Sequence, residues 1–294
     1  MATPLSADKL LRALRDEGLR VVEHRSWRTH NRNHKGAWGP VHGVMIHHTV
    51  TSGTQSSVDL CYDGHSSLPG PLCHGVIAKD GTVHMVGHGR ANHAGLGDDD
   101  VLRAVINETA LPADNEANTD GNRSFYGFEC INLGNGKDPW PAAQLLAIER
   151  AAAAICRAHG WNQRSVIGHK EWQPGKIDPR GFTMGSMRTR VRTRLAGKPD
   201  GPAKPPTPKP PATYEPFPGA AFFRAGRRSA VITAMGKRLV AEGCGKYEVG
   251  PGPAWSEADR ASYAAWQRKL GYSGSGADGV PGRTSWDKLK VPNV

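Results

Sequence analysis

Three separated segments of the sequence carry side chains of the types that bind divalent metals. His47 and His48 end an apolar run, His169 follows Val-Ile-Gly, and Asp178 precedes a proline. Catalytic zinc commonly has three protein ligands, often two histidines and a carboxylate, with a fourth position open for water. Two of these histidines together with Asp178 could form such a site. Spacing alone is a weak indication, because any chain with 13 histidines offers similar triples.

Local sequence limits which of these side chains can share a site. Residues 41–50, VHGVMIHHTV, are apolar and β-branched, as in a buried strand. Successive side chains of a strand point to opposite faces, so only one of His47 and His48 can face a metal. The helical His-Glu-x-x-His pattern of many metalloproteases does not occur in the sequence. The ligands would therefore come from strand ends and a loop.

The elements around these segments predict an α/β domain. An amphipathic helix is expected to open at Ser6. Residues 74–87 predict two strands joined by a Lys-Asp-Gly turn, and residues 126–134 predict a further strand. Residues 142–160 predict an Ala- and Leu-rich helix that ends at a glycine. Strands mixed with long helices indicate one central sheet flanked by helices.

A proline-rich segment, GKPDGPAKPPTPKPP, starts at residue 197 and marks the clearest domain boundary. Proline at this density favours an extended spacer that cannot join a packed core. We therefore expect a catalytic domain at residues 1–196, a linker at residues 197–213 and a smaller domain at residues 214–294. The smaller domain is predicted to hold three helices, at residues 227–243, 256–271 and about 284–289.

The net charge of +11 is unevenly distributed. Residues 197–294 hold 15 Lys and Arg against 8 Asp and Glu, a net charge of +7. Basic proteins attract polyanions, including nucleic acid and anionic wall polymers, although such a charge can also serve solubility alone. Because the sequence has neither a zinc-finger spacing nor a basic helix, we expect no nucleic-acid binding.

The sequence shows no pattern of membrane insertion or secretion. No run of 18 or more apolar residues occurs, so we expect no stable insertion into a membrane. The first twenty residues mix charges with leucines and lack the apolar core of a secretory signal. Five cysteines occur without a Cys-x-x-Cys pair, which argues against a disulfide framework or a cysteine zinc site. The pairing of Cys61 with Cys73 across a loop stays open.

Five motifs occur in an order that is similar to a known enzyme family. They are IHHT, HGVIAKDGTV, RANHAG, YGFE and GHKEWQPGKIDPRG, and they lie between about residues 40 and 195. Together they resemble the zinc-dependent N-acetylmuramoyl-L-alanine amidases of type 2, relatives of the peptidoglycan recognition proteins. That family releases the stem peptide of bacterial peptidoglycan by cleaving the bond from N-acetylmuramic acid to L-alanine. The resemblance implies a central mixed sheet flanked by helices and a Zn²⁺ cofactor.

The resemblance also implies roles for individual residues, which fall into three groups. The zinc ligands would be His47, His169 and Asp178; the catalytic groups would be Glu129 and Lys176; and the substrate groove would include His93 and His74. The alternatives are an exposed loop lysine for Lys176 and a packing histidine for His74. His48 would be a core residue or a neighbour of the metal ligands.

The identity of the general base depends on the branch of the family. One branch uses a tyrosine just before the first hairpin histidine, and this chain has Cys73 there. The other branch uses a glutamate in a Gly-x-Glu strand, which here is Glu129. A carboxylate in an apolar strand is costly to bury without a partner, which itself suggests a role. Glu171 is the alternative base.

The last 80 residues resemble a three-helix peptidoglycan-binding module through WQRKLGY and ADGVPGRTSW. Trp255, Trp266 and Trp286 could stack on sugar rings, although the spacing of Trp266 favours a core position. The whole arrangement looks like a bacteriophage endolysin, expected to be a monomer in the host cytoplasm until its release to the cell wall. The alternative is a non-catalytic peptidoglycan recognition protein.

Overall fold

The computed structural model describes residues 2–202 and 214–294, which form two compact units. Most of the predicted linker, residues 203–213, lies outside the described residues. The Asp200 carboxylate accepts hydrogen bonds from Arg150 and Arg194 of the first unit. The packed first unit therefore continues past the predicted boundary at residue 196.

A six-stranded mixed sheet forms the centre of the first unit, and two short ribbons lie beside it. The described strands are β1 (Val21–Glu23), β2 (Gly43–His48), β3 (Gly64–His65), β4 (Leu68–Pro69), β5 (Gly75–Ile77), β6 (Val83–Met85), β7 (Leu96–Gly97), β8 (Thr119–Asp120), β9 (Phe125–Cys130) and β10 (Val166–Gly168). The order in the large sheet is β1-β6-β5-β9-β2-β10. Only the β5–β6 hairpin is antiparallel among its described pairs. This confirms the predicted fold class.

Helices cover both faces of the large sheet. Those of the first unit are α1 (Ala7–Asp16), α2 (Thr54–Asp63), α3 (Asp99–Ile106), α4 (Gly121–Ser124), α5 (Ala142–His159) and α6 (Met184–Ala196). Ser6 caps α1, and Gly160 ends α5 in the left-handed conformation with φ 72°. Both helix ends agree with the sequence signals at these positions.

Alternation along β2 divides its side chains between two cores. Val44 and Ile46 join the core formed with α1, α5 and α6, whereas Met45 packs with α3 on the opposite face. By the same alternation His47 belongs to the α3 face and His48 to the α5 face. The sheet thus separates the two adjacent histidines as the sequence predicts.

Parallel pairing aligns the chemically active strand ends. His47 is the register partner of Glu129 in β9, and His48 is the partner of Cys130. β10 pairs with β2 on its other side and ends at Gly168, directly before His169. Because parallel strands end at the same sheet edge, these residues converge there.

The second unit is helical. It contains α7 (Ala230–Ala241), α8 (Glu257–Lys269) and α9 (Arg283–Leu289), as the sequence predicts. Trp266 and Trp286 are buried in its core, and Trp286 is only 1% exposed. Burial confirms the core position that the spacing of Trp266 favours, whereas the suggestion that Trp286 stacks on a sugar ring is wrong; Trp255 is only partly buried. Among the described helices of the chain, none is long and apolar enough to cross a membrane.

Candidate metal centre and active site

Three acceptor atoms meet at the carboxyl end of β2. His47 Nδ1 lies 3.1 Å from His169 Nδ1 and 3.1 Å from Asp178 Oδ2. The third side of the triangle, from His169 Nδ1 to Asp178 Oδ2, measures 3.2 Å. Both histidines are buried, and the Asp178 side chain is 14% exposed. The structure thus brings together the three residues that the sequence suggested as ligands.

Two short hydrogen bonds from Lys170 hold Asp178 in this position. The Lys170 backbone N–H donates to the Asp178 carbonyl at 2.7 Å, and the Lys170 ammonium donates to the Pro179 carbonyl at 2.7 Å. These two bonds close the loop that begins at the 3₁₀ turn His169–Glu171. The loop therefore returns to the strand end that carries the first histidine.

The outward nitrogens of both histidines have protein partners. His47 Nε2 lies 3.0 Å from His93 Nδ1, and His169 Nε2 lies 3.2 Å from Gln173 Oε1. Histidines that bind metals usually donate their second ring N–H to such a partner, which fixes the tautomer. Gln173 was not anticipated from the sequence. Its position four residues after His169 was the available signal.

The protonation states of His47 and Asp178 favour the binding of a cation by the triangle of ligand atoms. Burial lowers the pKa of His47 to about 4, although the adjacent Asp178 carboxylate acts in the opposite direction. Burial alone would raise the pKa of Asp178, but the adjoining His169 and His47 side chains hold it well below its usual range. A neutral imidazole and an ionised carboxylate are the forms in which these side chains bind metals.

The dimensions of the triangle suit zinc. In a tetrahedral site with bonds of about 2.0–2.1 Å, neighbouring ligand atoms lie about 3.3 Å apart. The three observed separations, 3.1–3.2 Å, are close to that value. Two nitrogens and one oxygen are also the donor set of many catalytic zinc sites. The residues present therefore fit this metal.

Glu129 lies beside the triangle on the neighbouring strand. It is partly buried, and its Oε2 has neither solvent contact nor a hydrogen-bond partner within residues 2–202 and 214–294. Burial, followed by the nearby Cys61 and the charge of Asp178, raises its pKa well above the usual range, while the charge of Lys176 lowers it. A buried carboxylate oxygen without a partner is costly and calls for a ligand, water or reacting group at that position.

The environment of Cys73 does not suit a general base. It is completely buried in the small apolar cluster between α2 and β5, with Cys61 nearby. Burial, followed by contact with Cys61, raises the pKa of the Cys73 thiol well above its usual range. Only the thiolate is an effective proton acceptor, so this thiol is inert near neutral pH. All five cysteines, including Cys61 and Cys73, are free thiols in this structure.

Glu171 has a structural role. Both of its oxygens bind the Arg188 guanidinium at 2.8 Å, and its Oε2 also accepts the Gly168 backbone N–H. Arg188 in turn donates to the Val166 carbonyl at 3.2 Å. This ion pair satisfies backbone groups along β10, an edge strand whose free groups could otherwise pair with another chain. The alternative assignment of Glu171 as the base therefore has no free oxygen to support it.

The remaining predicted site residues differ in how far their side chains are buried. Lys176 is exposed, and its charge lowers the pKa of both His47 and Glu129, so it acts on the site. His93 is 9% exposed and faces His47 rather than an open groove. His74 is completely buried; its Nε2 donates to the Gly89 carbonyl and its Nδ1 accepts the Gly127 N–H. His74 thus packs the fold, which corrects its expected place in a substrate groove.

Comparison with known proteins assigns the region of the site to a class of enzyme. Residues 37–181 match the family described as N-acetylmuramoyl-L-alanine amidase. This part of the chain belongs to that amidase family and hydrolyses the amide bond between N-acetylmuramic acid and L-alanine in peptidoglycan. A search of curated protein sequences finds no match.

Several solved structures are similar at low identity. The endolysin amidase LysCS from Clostridium intestinale URNW is 15% identical, with a TM-score of 0.39 over 58% of this chain and 95% of that chain. AmiD from E. coli, a complex with anhydro-N-acetylmuramic acid-L-Ala-D-γ-Glu-L-Lys, is 16% identical, with a TM-score of 0.38 over 88% and 90%. The catalytic domain of XlyA is 15% identical, with a TM-score of 0.41 over 59% and 99%.

The burial of His74 predicts a loss of stability in acid. Burial lowers its pKa to about 3, whereas the unfolded chain titrates near 6.5. Between these values the unfolded state binds the extra proton, so the free energy of unfolding should fall as the pH drops below 6.5. The contribution of this residue reaches about 1.4 kcal/mol per pH unit.

Urea unfolding between pH 7.5 and 4.5, with a chelator present, measures this dependence. His74→Asn should be less stable at pH 7.5 but show a shallower slope, because the titrating group is gone. His65→Asn, at an exposed position, controls for the substitution. An unchanged slope in His74→Asn would assign the acid sensitivity to other groups.

Proposed function

We propose that this amidase is zinc-dependent, with His47, His169 and Asp178 as the metal ligands. The observation that best supports the proposal is the meeting of three acceptor atoms at separations of 3.1–3.2 Å. The hydrogen bonds of the two outward nitrogens leave the inward lone pairs free for a cation. When bound, zinc would lower the pKa of a water molecule and polarise the scissile carbonyl.

In this proposal Glu129 is the general base. Its carboxylate takes a proton from the attacking water and passes it to the leaving nitrogen of L-alanine. Its register with His47 supports this role, and its Oε2, which has no hydrogen-bond partner among the described residues, is available for that proton. A raised pKa of Glu129 favours holding the proton between the two transfers. A nearby divalent cation would lower this pKa, so that the carboxylate is ionised before the first transfer.

Lys176 is proposed to stabilise the negative charge that develops on the carbonyl oxygen. Its ammonium lies on the exposed side of the site and acts on both His47 and Glu129. A cation at such a position contributes most when the charge forms in the transition state. The exposed lysine thus differs from Lys170, whose ammonium is held by two backbone carbonyls.

The biological setting proposed here is that of a bacteriophage endolysin. The amidase would act as a monomer, accumulate in the host cytoplasm and reach the peptidoglycan at lysis. Residues 214–294 would form the wall-binding module, joined through the proline-rich segment 197–213. The support is the sequence order of these parts together with the +7 charge of residues 197–294, which suits an anionic wall. A non-catalytic recognition protein is disfavoured because the ligand set is complete.

The first test is metal content. The purified protein should contain about one zinc per chain by elemental analysis, and a chelator should abolish release of dye from labelled cell walls. His47→Ala should lose the metal, whereas His48→Ala should keep it, because that side chain lies on the other face and accepts the Arg180 N–H. Full activity in metal-free protein would contradict the proposal.

The second test separates Glu129 from Cys73. Glu129→Gln should keep zinc and fold but lose about 10²-fold or more in turnover, the usual scale for a general base. Cys73→Ser should remain largely active, because the buried thiol is protonated. Turnover on a soluble muropeptide, with zinc content measured in parallel, gives the comparison. An inactive Cys73→Ser beside a fully active Glu129→Gln would reverse the assignment.

The third test concerns the second unit. Removal of residues 214–294 should lower activity on intact cell walls more than on a soluble muropeptide, because tethering raises local concentration only at a surface. The ratio of the two rates is the measurement. An equal loss on both substrates would show that the second unit supports folding or catalysis instead.

A further inference from the structure

The environment of His93 differs from that of a substrate-binding residue. Its backbone N–H and that of Ala94 both donate to Asn122 Oδ1 at 2.8 Å, which fixes the loop. Trp172, which is fully buried, donates from its indole nitrogen to the Ala94 carbonyl at 3.0 Å. The imidazole is therefore held from its backbone and is directed inward.

The ring of His93 is the middle member of a chain of hydrogen bonds. His93 Nε2 lies 3.3 Å from the Phe125 carbonyl oxygen, and His93 Nδ1 lies 3.0 Å from His47 Nε2. A carbonyl only accepts, so His93 Nε2 must carry the proton of a neutral ring. His93 Nδ1 is then an acceptor, and His47 Nε2 must be the donor. This order leaves the lone pair of His47 Nδ1 directed at His169 and Asp178.

Gly127 makes room for this arrangement. A Cβ atom at this position would lie 2.5 Å from His93 Nδ1 and 2.6 Å from its Cγ. These distances are shorter than any normal contact. Asn122 holds the His93 backbone, and His47 and the Phe125 carbonyl hold its ring, so the ring could not move away without losing hydrogen bonds. The glycine of the Tyr-Gly-Phe-Glu strand is thus required by the ring that packs on it.

We propose that His93 is a positioning residue, which holds His47 in the single tautomer and ring orientation that can bind the metal. The proposal rests on the zinc site described above. It assigns to His93 no contact with substrate. Partners of this kind typically contribute about 10- to 100-fold to metal affinity.

Zinc affinity of the full chain, measured by competition with a fluorescent chelator, tests the proposal. His93→Leu should weaken zinc binding about 10- to 100-fold. His93→Asn should recover most of that loss, because its Oδ1 can take the place of the ring Nδ1 as an acceptor. Gly127→Ala should weaken binding in the same direction, and its effect should not add to that of His93→Leu, because both remove the same contact.

A second measurement does not depend on any variant. In the ¹⁵N-histidine-labelled protein, a scalar coupling across the hydrogen bond should join His47 Nε2 to His93 Nδ1, with the proton on His47. A proton on His93 Nδ1, or zinc affinity in folded His93→Leu within about twofold of the unsubstituted protein, would overturn the inference. Failure of the unsubstituted protein to bind zinc would instead overturn the proposed metal site, and the two results are distinct.

Discussion

Three lone pairs directed at one buried point repel one another unless a cation lies between them. The structure around His47, His169 and Asp178 depends on this constraint. The separations of 3.1–3.2 Å are too short for three unpaired acceptors but suit a shared ion. Holding such a cluster together requires a rigid scaffold. The parallel pairing of β2 with β9 and β10 supplies it, since all three strands end at one edge of the sheet.

Groups behind the cluster complete the scaffold. Gln173 and His93 occupy the outward nitrogens of the two histidines, so neither ring can rotate without breaking a hydrogen bond. On the exposed side of β10, the Arg188–Glu171 pair binds the backbone where another strand would pair. The same pair occupies both oxygens of Glu171, whereas Glu129 Oε2 has no hydrogen-bond partner in the part of the chain that the structure describes. The different roles of Glu171 and Glu129 thus follow from their different hydrogen-bonding environments.

The second unit has its own core, in which Trp266 and Trp286 are buried with Tyr263 and Leu289. Their indole N–H groups donate to the backbone carbonyls of Ser285 and Glu215. These tryptophans therefore stabilise the small helical fold, since a domain of this size buries little apolar surface and depends on its large side chains. Any recognition of the cell wall by this unit must use other surface groups.

The sequence by itself determined the mixed sheet, the hairpin turn, and the ends of α1 and α5, because these depend on local signals, namely strand alternation, an Asp-Gly turn and helix caps. The convergence of His47, His169 and Asp178 was implied only by the resemblance of the ordered motifs to an enzyme family. Only the tertiary structure decided the roles of His93, His74, Gln173 and Glu171. A histidine or glutamate has the same local signature whether it faces solvent, a metal ligand or a backbone carbonyl. Its role follows from the partner that the fold brings within hydrogen-bonding distance, typically about 3 Å.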